Sequence, residues 1–132
     1  MLAAPRPGCH DGRMLRVGTV VLGVDDLERA MAFWSAALGY RPRYEPDADC
    51  VILDPPEGAT GTSIAHSVTR AEVHLPPRIH LDLYADDQQS EVERLVGLGA
   101  RNIDWDRYPP DADWITLEDT EGNRFDVIDK AG

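Results

Sequence analysis

The sequence predicts an α+β fold: two tandem βαβββ modules forming a curved half-barrel sheet, with the helices outside. Three observations lead there. First, the stretch from Arg43 to Gly58 returns 64 residues later as Arg107 to Gly122, with nine of sixteen paired positions identical. Second, each copy follows an apolar strand with a paired-aspartate cap and an apolar helix that ends in Leu-Gly, at Leu38-Gly39 and Leu98-Gly99. Third, each helix precedes short segments that alternate apolar and polar residues, the signature of strands with one covered face. Two copies are too few for a solenoid, which needs about three or more. A unit that packs on its twin instead makes a cleft along a pseudo-two-fold axis, where equivalent positions converge.

The elements run in order along the chain. Residues 1–15 hold Pro5, Pro7, Gly8 and Gly12 and are expected to be a disordered tail ahead of one domain at 16–129, with modules of about 16–70 and 77–129. Val17 to Val24 is valine-rich and forms the first strand. Asp25-Asp26 caps a helix carrying Leu27, Ala30, Met31, Trp34, Ala37 and Leu38 along one side, and Gly39 ends it. Strands are expected over 40–44, 50–54 and 63–68, divided by Pro/Asp and Gly/Thr turns. The second copy gives a strand at 79–85, a cap at Asp86-Asp87 and a helix with Glu91, Val92, Leu95, Val96 and Leu98. Strands near 101–105, 114–118 and 124–128 complete it.

Composition excludes several functions. At 132 residues the chain is one domain with room for a true core. Thirteen basic against 24 acidic side chains give a net charge of -11, which argues against nucleic acid; it fits a generally acidic, soluble surface first and a cationic over an anionic small ligand second. No segment is long and apolar enough for a signal peptide or a membrane span. Two cysteines, Cys9 and Cys50, make neither a disulfide framework nor a zinc site, so the reducing cytoplasm is expected. There is no Gly-x-Gly-x-x-Gly, no P-loop and no nucleophile elbow, hence no nucleotide cofactor is expected.

Strand alternation sorts the faces. Ile79, Leu81 and Leu83 share one side and are expected under the helix, while Arg78, His80, Asp82 and Tyr84 share the other. Trp114 and Thr116 fall on the same polar, aromatic-dotted face. Tyr84 and Trp114 there suit planar or cationic groups, although Trp114 equally suits filling the space that Cys50 leaves in the other copy. Asp82 either orients a ligand or is a solvated carboxylate.

The run Asp26-Leu27-Glu-Arg-Ala-x-x-Phe33-Trp34-x-x-x-Leu38-Gly39, with Arg78-Ile-His80-Leu-Asp82-Leu and Asp119-Thr-Glu-Gly122-Asn123-Arg-Phe-Asp126, resembles the vicinal oxygen chelate superfamily. That superfamily includes glyoxalase I, extradiol dioxygenases, fosfomycin-resistance enzymes and bleomycin-resistance proteins. The resemblance covers residues 16–129 and implies a glyoxalase-like domain and a homodimer. Carried over, its ligand positions fall on Thr19, His66, His80 and Asp126. The resemblance thus implies a divalent metal (Fe, Mn, Zn or Ni) on His66, His80 and Asp126, with Thr19 beside it; Asp82, Tyr84 and Trp114, from the polar face, are the other candidate ligand-binding residues. The activity implied is that of a metal-dependent lyase, isomerase or dioxygenase. The alternative is a metal-free cleft that sequesters an antibiotic or a metabolite.

Overall fold

The computed structural model describes residues 15–103 and 108–130. The element order is β1 (Thr19–Val24), α1 (Leu27–Leu38), β2 (Arg41–Pro42), β3 (Cys50–Asp54), β4 (Ser63–Val68), β5 (Leu81–Ala85), α2 (Gln88–Leu98), β6 (Arg101–Asn102), β7 (Trp114–Glu118) and β8 (Arg124–Asp129). The expected curved half-barrel resolves into two open four-stranded sheets, ordered β1-β4-β3-β2 and β5-β8-β7-β6. In each, the first and last strands of the module run parallel and the other pairs antiparallel. The two orders superimpose strand for strand, which is the duplication seen as topology. The predicted tail lies outside the described residues, save Leu15.

Both helices begin as their sequences dictate. Asp26 accepts the Arg29 N–H and Asp87 accepts the Ser90 N–H, each answering a donor the first turn leaves open. Gly39 ends α1 with φ 71°, left-handed backbone that costs glycine least. The apolar sides of α1 and α2 then meet in one core with Val51 and Leu53 of β3, Leu117 of β7, and Phe125 and Val127 of β8. Trp34 of the first module reaches Phe125 of the second, with ring centroids 5.1 Å apart. From α2, Arg94 donates to the carbonyls of Ala36 and Ala37, which the end of α1 leaves open. The modules therefore share a single interior.

Strand ends differ from the sequence expectation at several places, and the first strand, expected from Val17, begins at Thr19. The fifth strand begins at Leu81, which pairs with Phe125 of β8, and residues 79 and 80 lie ahead of the ladder. Ile79 consequently lies outside the strand, 83% exposed, and not under the helix. Between 40 and 44 only Arg41 and Pro42 pair in the ladder, with the Arg43 N–H donating to the Ile52 carbonyl just beyond it. The strand expected at 101–105 is seen as Arg101–Asn102, and residues 104–107 lie outside the described residues.

Candidate functional site

The second sheet builds the site on the face turned away from the core. With Leu117, Phe125 and Val127 committed to the interior, alternation sends Thr116, Arg124 and Asp126 to the other side. Register then sets Asp82, Asp126 and Thr116 abreast across β5, β8 and β7. One row further along, Tyr84, Ile128 and Trp114 stand abreast. One row back are His80, just ahead of β5, and Arg124, at the start of β8.

His80, Asp82 and Asp126 form a cluster. His80 Nδ1 lies 3.1 Å from Asp82 Oδ1 and 3.7 Å from Asp126 Oδ2. One ligand atom from each of the three falls within 4.8 Å of the others. The Thr116 hydroxyl donates to Asp126 Oδ1 at 2.7 Å, fixing the carboxylate so that its second oxygen faces the imidazole. His80 and Asp82 are exposed and Asp126 half-buried, so one side of the cluster is open to an incoming molecule. One imidazole nitrogen and two carboxylate oxygens make a donor set that divalent ions such as Mn and Fe accept, with positions left for water or substrate. Donors adjacent on an ion with bonds of about 2.1 Å sit about 3 Å apart, close to the separations found here. The residues present fit a metal ion.

Two cavities meet at this cluster. A smaller one of about 120 Å³ is walled by Pro76, Pro77, His80, Thr116, Arg124 and Asp126. A larger one of about 220 Å³ follows the seam between β1 and β5, with Val20, Leu22, Trp34, Leu81 and Phe125 in its wall. His80, Arg124 and Pro77 border both.

The sequence-derived residues divide accordingly. His80, Asp82 and Asp126 are together. Tyr84 and Trp114 stand one row away on the same face. Tyr84 carries Lys130 Nζ 4.7 Å over its ring, and Trp114 leans on Tyr108 at 5.9 Å. Thr19 heads β1 in the other sheet, opposite Ser63, and borders neither cavity.

His66 is not with His80 and Asp126. Register places it opposite Val51 and beside Leu22, on the side covered by α1, at 0% exposure. Both ring nitrogens lack a hydrogen-bond partner among the described residues. Burial holds its pKa down to about 4, against a smaller opposite pull from the Glu121 charge. The carry-over misplaced it by one strand position, and one position reverses the face. The flanking residues held the signal: Ile64 and Val68 lie two residues either side of His66 and mark its face as apolar.

Sequence reasoning missed Thr116 and Arg124 as walls of the site. It also missed the loop that joins β7 to β8. There Glu121 accepts the N–H groups of Asp25 and Asp26 and the guanidinium of Arg29, tying the start of α1 to the second module. Burial pushes the Glu121 carboxyl up, but the Arg29 hydrogen bond, with those from Asp26, Thr120 and Asp25, outweighs it and brings the pKa to about 2. Asp119 accepts Trp34 Nε1 at 2.9 Å in the same loop, and burial raises its pKa despite that bond. Polar residues around a turn glycine look solvent-facing in sequence, so nothing there marked them as buried.

A family profile described as glyoxalase-like domain matches residues 19–128. No curated protein matches the chain in sequence. Among solved structures, a glyoxalase-related enzyme from Fulvimarina pelagi is similar, with a TM-score of 0.65 and 18% identity over 87% of this chain and 88% of that one. An antibiotic binding protein from a Streptomyces species, TnmS3, gives 0.60 and 22% over 87% and 95%. A fosfomycin resistance protein from Listeria monocytogenes, solved with Mn(II) and a dihydroxypropylphosphonic acid, gives 0.66 and 15% over 90% and 93%.

Proposed function

The chain belongs to the glyoxalase-like domain family, and from that premise we propose that the cleft beside His80, Asp82 and Asp126 is a small-molecule site working with a divalent metal ion, in a lyase, isomerase or dioxygenase type of reaction. The convergence of those three donors on the open side of the second sheet carries this reading. A similar fold solved with Mn(II), the fosfomycin resistance protein, supports it. When bound, a divalent ion supplies Lewis acidity, polarising a substrate oxygen and stabilising negative charge that develops on it. The chain's own residues do the rest. Thr116 holds the Asp126 carboxylate in place, and Asp82 stands beside the His80 ring as the third donor. Pro76 and Pro77 wall the cavity without N–H groups that would draw water.

Titration of tag-free protein with Mn(II), followed by electron paramagnetic resonance, tests the reading. We expect one ion per chain, bound about tenfold or more weaker in His80→Ala and Asp126→Ala, and unchanged in His66→Ala. Stoichiometric binding that survives both site substitutions would place the ion elsewhere and end the proposal.

A second reading is a metal-free protein that sequesters a metabolite or an antibiotic. Thr19, a poor ligand at the first-strand position, and the similarity to an antibiotic binding protein favour it. Protein that binds no Mn(II) yet melts at higher temperature with a planar aromatic antibiotic would support this alternative. A homodimer and a cytoplasmic location are part of the proposal, the first resting on the open sheet faces and the second on the sparse cysteines. Among the described residues, no helix is long and apolar enough to cross a membrane.

A further inference from the structure

Arg124 opens β8 on the same face as Asp126 and borders both cavities. Register sets it opposite Glu118, the cross-strand carboxylate that an arginine would ordinarily pair with. Glu118 is engaged instead by Arg101 from its other flank, where β6 meets β7. The other carboxylates of the face are occupied too: Asp82 by His80, and Asp126 by Thr116 and His80. Arg124 is left without a side-chain hydrogen bond or ion pair among the described residues, and its Nε is buried with no acceptor.

This is a costly arrangement to find unanswered. A guanidinium is charged at every relevant pH, and a buried N–H without an acceptor keeps the full cost of leaving water. The chain has 24 acidic side chains against 13 basic ones, yet none of the described ones serves this arginine. Beyond it the seam cavity has an apolar wall of Val20, Leu22, Leu81 and Phe125, with His80 and Asn123 as polar neighbours of Arg124 in the same lining. Its volume of about 220 Å³ is below the roughly 300 Å³ at which pockets for drug-sized molecules begin. Nearby Asp82 and Asp126 disfavour a dianion more than a monoanion.

We infer that the ligand of this cleft is a small organic monoanion, a carboxylate on an apolar body, with the acid group held by the Arg124 guanidinium where the two cavities meet and the body lying along the β1–β5 seam. The inference deepens the small-molecule reading and rests on it. It reverses the preference for a cation that net charge alone suggests, because Arg124 at the cavity junction has no carboxylate of its own, whereas Asp82 and Asp126 are already engaged by His80 and Thr116. Planar two-point pairing of guanidinium with carboxylate supplies the selectivity.

The test uses EDTA-treated protein, so that a metal ion does not itself recruit the acid, and three six-carbon probes: hexanoate, hexanamide and hexylammonium. Binding is followed by amide chemical shifts. Hexanoate is expected to move the resonances of 20–23, 79–81 and 124–125, and to bind about tenfold or more tighter than hexanamide. Hexylammonium is expected to bind more weakly than either. Arg124→Gln should abolish the hexanoate advantage, and Arg124→Lys should retain part of it as a point charge. Both variants are compared at matched thermal stability, with Mn(II) binding as a check on the fold of the site. Equal affinity for hexanoate and hexanamide, or a hexanoate advantage that persists in Arg124→Gln, overturns the inference. If Mn(II) still binds through His80 and Asp126 in that case, the metal reading stands without it. Protein that takes neither hexanoate nor Mn(II) overturns both.

Discussion

His66 occupies in the first module the place that Val127 holds in the second, and the exchange puts a titratable ring in an apolar interior. Its folded pKa of about 4 lies below the ordinary value of 6.5. Between those values the unfolded chain binds the proton that the folded chain refuses. The stabilising difference is therefore full above pH 6.5 and is lost as pH falls toward 4. A shift of this size corresponds to roughly 3 kcal/mol. Urea unfolding at pH 7.5 and pH 4.5 should show His66→Leu losing less stability than the parent on acidification, by about 2 kcal/mol or more. An identical decline in both proteins would mean that the folded chain accepts the His66 proton as readily as the unfolded one, against the lowered pKa. Trp34 makes a separate case, since its indole N–H satisfies the buried Asp119. Trp34→Phe should cost about 2–4 kcal/mol, combining lost packing with a carboxylate deprived of a donor.

At the scale of elements, the β7–β8 loop acts as the cap for a helix that begins about 95 residues earlier. Glu121→Ala removes acceptors from Asp25, Asp26 and Arg29 together. The expected loss is about 3 kcal/mol by urea unfolding, larger than the roughly 1 kcal/mol of Asp26→Ala, which removes an ordinary cap. A smaller loss for Glu121 than for Asp26 would refute the ranking. The Glu121 contribution is present above its ordinary pKa of 4.5 and disappears as pH falls toward 2, beneath most of the His66 window. These elements also show what the sequence could reveal. Helices, caps and the strands at 50–54, 63–68 and 114–118 were legible because capping chemistry and alternation are local. The site was legible only in part. The resemblance named His80 and Asp126, which lie together, and His66, which does not join them, because the β3–β4 turn is three residues longer than the β7–β8 turn. An odd insertion leaves the apolar pattern readable while shifting the counting that carries a residue from one copy to the other. Arg124 was invisible as a free cation, since only the rotamers of Arg101 and Glu118 decide which arginine is paired.

At the scale of the molecule, two sheets share an interior and leave their other faces open. Val21 of β1 and Tyr84 of β5 are exposed there, large apolar side chains left without cover. A second copy covering these faces accounts for it, and sedimentation equilibrium should give a mass near twice 14.6 kDa. Tyr84→Glu, outside both cavities, should weaken that association by about tenfold or more. A monomer at all concentrations would refute the homodimer.

The loop that finishes α1 also dictates when the protein can become itself. On the ribosome the amino-terminal half emerges first, with the start of its helix unanswered and Trp34 waiting for both Asp119 and Phe125. Nearly the whole chain must be synthesised before those partners arrive. Each half thus carries an unfinished instruction that only its sibling completes. Severed between 69 and 77, the two pieces should stay unstructured apart and regain order on mixing.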